Sequence, residues 1–180
     1  MFPLKAIYAV CLAAVTLGGC VSIPYQTPES QQKIRHDLGI SDITDISETN
    51  WCRFDYGPVG LPCTATQGLG VLTPSGLILS RYKGGAYQHE KTLTVEDVDC
   101  SYSDTAESLP ILFTESHIWL VIPVTPRGQL NQASLDTFMN HLHSNGQKRL
   151  VGPETPHLSP SGEKTRLGRD IMSNSNPCRS

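Results

Sequence analysis

The chain has 180 residues, with 14 Lys and Arg against 17 Asp and Glu, for a net charge of −3 with neutral histidines. That length fits one domain with tails, and the lack of a cationic surplus argues against nucleic acid as a partner. Only 17% of residues are charged, while 15 Gly and 13 Pro point to short strands and many turns, not to a helical bundle.

Met1 to Lys5 is a short start with one positive charge, followed by an apolar run from Ala6 to Leu17. This run is too short to cross a bilayer as a helix, which takes about 20 residues. Leu17-Gly18-Gly19-Cys20 closes it. The stretch resembles the lipobox of bacterial lipoprotein precursors, in which the leader is cut before the cysteine and the cysteine is acylated. The resemblance implies a signal peptide over residues 1–19 and a membrane partner held through acyl chains on Cys20, since several chains together anchor a protein durably. Val21 follows the cysteine where an Asp would signal retention, which implies the outer membrane of a Gram-negative envelope, with the domain facing the periplasm. Cutting removes Lys5 and Cys11, leaving a net charge of −4. Residues 20–30 hold Pro24 and Pro28 among Ser, Gln and Thr. They read as a lipidated tether with a reach of about 35 Å, at ~3.5 Å per residue.

Besides the acylated Cys20, Cys52, Cys63, Cys100 and Cys178 remain for the mature domain, and an even number in an exported chain reads as two disulfides. We expect Cys52–Cys63 to close a short loop and Cys100–Cys178 to tie the tail to the domain. Spacings of 11, 37 and 78 residues, with no C-x₂-C pair, match neither a zinc ribbon nor a redox-active pair.

Residues 31–150 read as the periplasmic β-rich domain. Ser30 to Gly39 predicts a short helix ending at the glycine. Asp42 to Asn50 is polar and reads as irregular; Asn50 to Tyr56, with Trp51, Phe54 and Tyr56, reads as a first strand. Gly70–Thr73 and Leu77–Tyr82 flank Pro74-Ser75-Gly76 and predict a hairpin, which Lys83-Gly84-Gly85 ends. Asp99 to Ser103 reads as a further strand. Leu109–Glu115 and His117–Val124 predict the strongest hairpin, with Ile118, Leu120, Ile122 and Val124 on one face. Pro123 cannot donate to a ladder and belongs at an edge or bulge. Leu135, Phe138, Met139 and Leu142 recur at helical spacing, with Asn131 or Ser134 as N-cap and Gly146 near the end. Residues 151–180 have no apolar period and read as a flexible C-terminal tail.

The expected fold is therefore mainly β, a small antiparallel barrel or sandwich of about six to seven strands with one C-terminal amphipathic helix. Gly70–Leu77, Leu93–Val98, the hairpin at 109–124 and the helix at 131–145 resemble, in this order, the PH-like or GRAM-like barrel. The resemblance rests on patterning over residues 50–146. The basic cluster with which some PH domains hold phosphoinositides has no counterpart beyond Arg81 and Lys83, so head-group binding is not implied.

No catalytic or cofactor motif is present: there is no G-x-S-x-G, H-E-x-x-H or Walker loop. His141 and His143 stand about 200° apart on a helix and cannot share a metal. His117 at a turn and His89 in a loop read as solvated. Glu96, Asp97 and Asp99 form an acidic run without the spacing of a calcium loop. Trp51 and Trp119 could anchor a partner, but core packing is the commoner use of such residues. The expectation is a non-enzymatic interaction or envelope-assembly module without a cofactor, working with an envelope protein. A carrier of a lipid or apolar ligand and an envelope hydrolase are the alternatives.

Overall fold

A computed structural model describes residues 23–58, 65–103, 110–151, 158–164 and 170–179. The leader, the Leu17–Cys20 stretch and Cys63 lie outside the described residues. The elements run α1 (Pro28–Leu38), β1 (Asp45–Asp55), β2 (Gly57–Pro58), β3 (Thr66–Thr73), β4 (Gly76–Lys83), β5 (Ala86–Leu93), β6 (Val98–Ser103), β7 (Pro110–Thr114), β8 (His117–Val124), α2 (Gln132–Leu142), β9 (Lys148–Val151), β10 (Leu158–Lys164) and β11 (Asp170–Asn174).

Eight strands form one sheet in the order β5-β4-β3-β1-β8-β7-β6-β9, antiparallel except for the parallel pair β6–β9. The protein is mainly β with two helices, as composition implied. A closed barrel of six to seven strands is not what forms: the eight-stranded sheet is open, with β5 and β9 at its edges, and β10-β11-β2 make a second, three-stranded sheet. Nor does a helix end the fold, because β9, β10 and β11 follow α2. The stretch expected as a flexible tail contributes β10 and β11, which pair with each other and, through Ser173–Asn174, with β2. A sequence without apolar period can still add strands when a neighbouring strand offers free backbone groups.

Period-two alternation gives each face of the sheet its own cover. On one face Trp51, Leu72, Leu77, Leu79, Leu93, Leu112, Trp119 and Val121 pack against Phe138 and Leu142 of α2. Gly70 permits the contact: a Cβ there would lie 2.7 Å from Thr49 Oγ1 and 2.9 Å from the Phe138 ring. On the opposite face Leu69, Val71, Ile78 and Tyr87 receive Ile34 of α1, joined by Tyr25. Farther along this face, Cys100, Tyr102, Phe113 and Ile118 form a third cluster that Cys178 joins. The Cys100–Cys178 disulfide spans 78 residues, with its Cα atoms 6.3 Å apart.

Both helices carry their own end signals. Thr27 and Ser30 cap α1 reciprocally, each backbone N–H meeting the other's hydroxyl at 3.1 and 3.2 Å, and Gly39 closes it at φ 66°. Asn131 caps α2, its Oδ1 accepting the Ser134 N–H at 3.4 Å.

Two expectations along β1 and β5 need correction. β1 begins at Asp45 and includes the segment read as irregular, because its polar side chains are buried with partners. The Ser47 hydroxyl donates to the Val124 carbonyl at 3.1 Å, and Thr49 Oγ1 accepts the Gly70 N–H at 3.1 Å. His89 lies on β5 and not in a loop; on an edge strand Gln88, His89 and Glu90 stay exposed and hide the alternation. Pro123 lies toward the end of β8, past Ile118–Leu120, where the described pairing with β7 falls. Its place is thus a local edge inside a central strand.

Phe138 is 1% exposed at the centre of the α2 contact. Phe138→Ala should cost about 3–5 kcal/mol, read as a lowered urea midpoint, whereas Asp136→Ala, exposed on the same helix, should shift it little.

Candidate functional site

Three places deserve chemical scrutiny: a polar cleft at the β7–β8 turn, a buried serine–histidine pair, and an apolar hollow over β1 and β8. The cleft has a volume of about 140 Å³ and is lined by Lys91, Glu96, Asp97, Glu115, His117 and Arg179, among others. Most of its charges are paired, and Glu96 is exposed. Arg179 donates from Nε and Nη2 to the two Asp99 oxygens at 2.7 and 2.9 Å, and its Nη1 lies 3.2 Å from Glu115. Asn176 Nδ2 adds a third hydrogen bond to Asp99 at 2.8 Å. Asp97 accepts the Thr94 N–H at 2.9 Å and stands 3.9 Å from Lys91. The acidic run is thus a set of structural contacts, and among the described residues no group of three or more His, Cys, Asp or Glu could hold a metal ion.

At the rim, Ser116, His117 and Asp55 bring together the residue types of a hydrolytic trio. Ser116 Oγ lies 2.8 Å from His117 Nδ1, and Asp55 Oδ1 lies 3.4 Å from His117 Nε2. Asp55 is 77% exposed in its side chain, so water competes for the contact that would have to orient the ring. Partial burial, then the Arg53 charge, lower the His117 pKa. Below the cleft, burial pushes the Tyr56 hydroxyl pKa up to about 12, and this hydroxyl donates to the Thr114 carbonyl at 2.7 Å. The arrangement builds a turn.

The second place is His143, which follows α2. Its Nδ1 lies 2.6 Å from the Met139 carbonyl, and its Nε2 lies 2.9 Å from Ser101 Oγ. A carbonyl can only accept, so Nδ1 carries the proton, Nε2 accepts, and the Ser101 hydroxyl donates. This is the polarity of a nucleophile and its base, yet Ser101 is 4% and His143 7% exposed. A hydroxyl so enclosed offers no approach to a substrate. The pair fastens the end of α2 to β6, and burial lowers the histidine's pKa.

The third place is a hollow of about 290 Å³ lined by Asn50, Trp51, Cys52, Phe54, Ala65, Leu120 and Ile122. The β1–β8 register, with Asn50 opposite Ile122 and Cys52 opposite Leu120, puts Asn50, Cys52, Phe54, Leu120 and Ile122 on the face away from α2. They fall between the α1 cover and the Cys178 cover. Cys52 is disulfide-bonded, and Cys63, its expected partner, lies outside the described residues. Trp51 and Trp119 are 5% and 7% exposed within the α2-facing core, which is their packing role.

No protein-family model matches the chain, and no curated protein matches it. Cys20 and Cys63 lie outside the described residues; of the cysteines singled out from sequence, Cys100 and Cys178 are joined to each other and Cys52 is disulfide-bonded. Sequence reasoning missed the Ser101–His143 pair and the Asp99–Asn176–Arg179 group. Neither has a local signal, since each joins residues tens of positions apart.

Because the folded-state pKa of His143 lies below its unfolded value of about 6.5, the unfolded chain takes up the proton first as pH falls. The stability contributed by the neutral ring is present above about pH 6.5 and is lost as pH drops toward the folded pKa. Urea midpoints should fall between pH 7.5 and 5.5 in the native protein and fall less in His143→Gln.

Proposed function

We propose that this chain is an acyl-anchored outer-membrane lipoprotein whose periplasmic domain is a non-enzymatic interaction or envelope-assembly module. The observation that carries the reading is the stretch Leu17-Gly18-Gly19-Cys20 behind a single lysine and a short apolar run. Among the described residues no helix is long and apolar enough to cross a membrane. Val21 favours the outer membrane.

The domain's chemistry supports a binding role over the alternatives. A carrier needs an interior space for its ligand, but the volume between the sheet and α2 is filled by Trp51, Trp119, Phe138 and Leu142. A hydrolase needs an accessible nucleophile beside a positioned base; Ser101 is enclosed, and Ser116 has a solvated carboxylate at its histidine. The PH-like resemblance rests on the order of strands and helix, and in the proposal it stands for a scaffold that presents surfaces. The partner is a protein of the envelope.

Labelled palmitate should enter the native protein and not Cys20→Ala, and the variant should leave the membrane fraction. A native protein without label, or a variant that keeps both label and membrane, would overturn the anchoring. A fluorophosphonate probe should leave the native domain unlabelled; labelling lost in Ser101→Ala or Ser116→Ala would replace the binding role with catalysis.

A further inference from the structure

The segment from Ile23 to Thr27 is not free chain. Ile23 packs on the cluster of Leu69, Val71, Ile78 and Tyr87; Tyr25 is 8% exposed within that cluster. The Tyr87 hydroxyl donates to the Pro24 carbonyl. Three residues later Thr27 caps α1, and at the far end of that helix Asp37 Oδ2 accepts the Tyr87 N–H at 3.0 Å. That N–H, followed by Lys33 and His36, holds the Asp37 carboxyl down at about 2, so this clasp is charged at any physiological pH. The described fold thus already includes Ile23, ahead of residue 31, which leaves at most residues 20–22 for the tether.

Those residues lie outside the described ones, but a length bound holds for any conformation. Three residues reach at most about 10 Å. The head-group layer on one side of a bilayer is itself about 5–8 Å deep. Resting on the lipoprotein reading above, we propose that the face around Ile23, with Tyr82 and the Lys83-Gly84-Gly85 turn, lies against the phospholipid head groups. The domain is held at the surface and does not stand off it.

The local chemistry suits a phospholipid surface without demanding anionic lipid. Tyr82, half-buried beside the turn with its ring tilted on that of the buried Tyr87 at a centroid distance of 4.8 Å, is a residue type of the membrane interface. Nearby cations are compensated: Arg81 Nε donates to Glu90 at 2.6 Å, and Lys33 lies 2.9 Å from Asp37. Lys83 is exposed at the turn. The opposite edge of the sheet, β9 with exposed Lys148, stands seven strand spacings away in the sheet order, about 34 Å at ~4.8 Å each.

The test uses the full acylated protein in nanodiscs of phosphatidylcholine, labelled with a water-soluble amine reagent and read by peptide mass. Lys83 should react several-fold more slowly than in the same protein in solution after anchor removal by proteolysis before Ile23, while Lys148 keeps its rate. Inserting about ten Gly and Ser residues between Ser22 and Ile23, which adds roughly 18 Å of mean reach, should restore Lys83. Palmitate incorporation is scored in each sample. Equal rates at both lysines with palmitate present overturn the membrane-facing surface and leave the anchor standing. Absent palmitate overturns both. Slow Lys83 labelling that persists in the insertion variant overturns the short leash as its cause.

Discussion

Strand β1 is hydrogen-bonded along both edges, to β3 through Asp45–Trp51 and to β8 through Glu48–Asp55, so it joins two halves that each run as antiparallel meanders. β3, β4 and β5 depend on it on one side; β8, β7 and β6 depend on it on the other. A strand in that position is closed on both faces as well, by α2 and by the opposite cover. Its fully buried hydroxyls, Ser47 and Thr49, each find partners. Their bonds to Val124, Gly70 and Asn131 convert what would be a desolvation cost into cross-links between β8, β3 and the α2 cap.

This constraint explains which parts of the fold were legible in sequence. The hairpins at Pro74-Ser75 and Glu115-Ser116 and the helix at Leu135–Leu142 announce themselves because one face of each is apolar and its periodicity survives. The first half of β1 does not, since its buried face is made of Ser47 and Thr49. β5 does not either, since an edge strand needs only one apolar face and its centre is Gln88, His89 and Glu90. The barrel expectation failed at closure: element order was readable, but whether β5 and β9 meet is set by strand tilt and length, which no residue pattern encodes.

The candidate sites were less legible than the fold. Histidine spacing excluded a shared metal at His141 and His143, but nothing near residue 143 reports that Ser101, 42 positions earlier, will lie beside it. Likewise Asp99 reads as part of an acidic run until Arg179 and Asn176 are brought to it by the Cys100–Cys178 disulfide next door. Cysteine parity carried more information here than charge patterning did. Composition also misread the segment at Ile23–Tyr25, where flanking Pro, Ser and Thr suggest a linker while the two apolar side chains bury themselves.

The two ends of the described chain converge on the same face of the sheet from opposite sides. Residues 23–38 cover the β3–β5 side, and residues 176–179 cover the β6–β7 side. Each end is fixed by a different kind of bond, hydrogen bonds to Tyr87 on one side and a disulfide with an Arg179–Asp99 pair on the other. Either could have been left loose without emptying the α2-facing core, which neither touches. Fixing them serves to set where the termini leave the domain. Under the proposed anchoring at Cys20, that would decide which edge stays near the anchor and which edge, β9, is carried farthest from it.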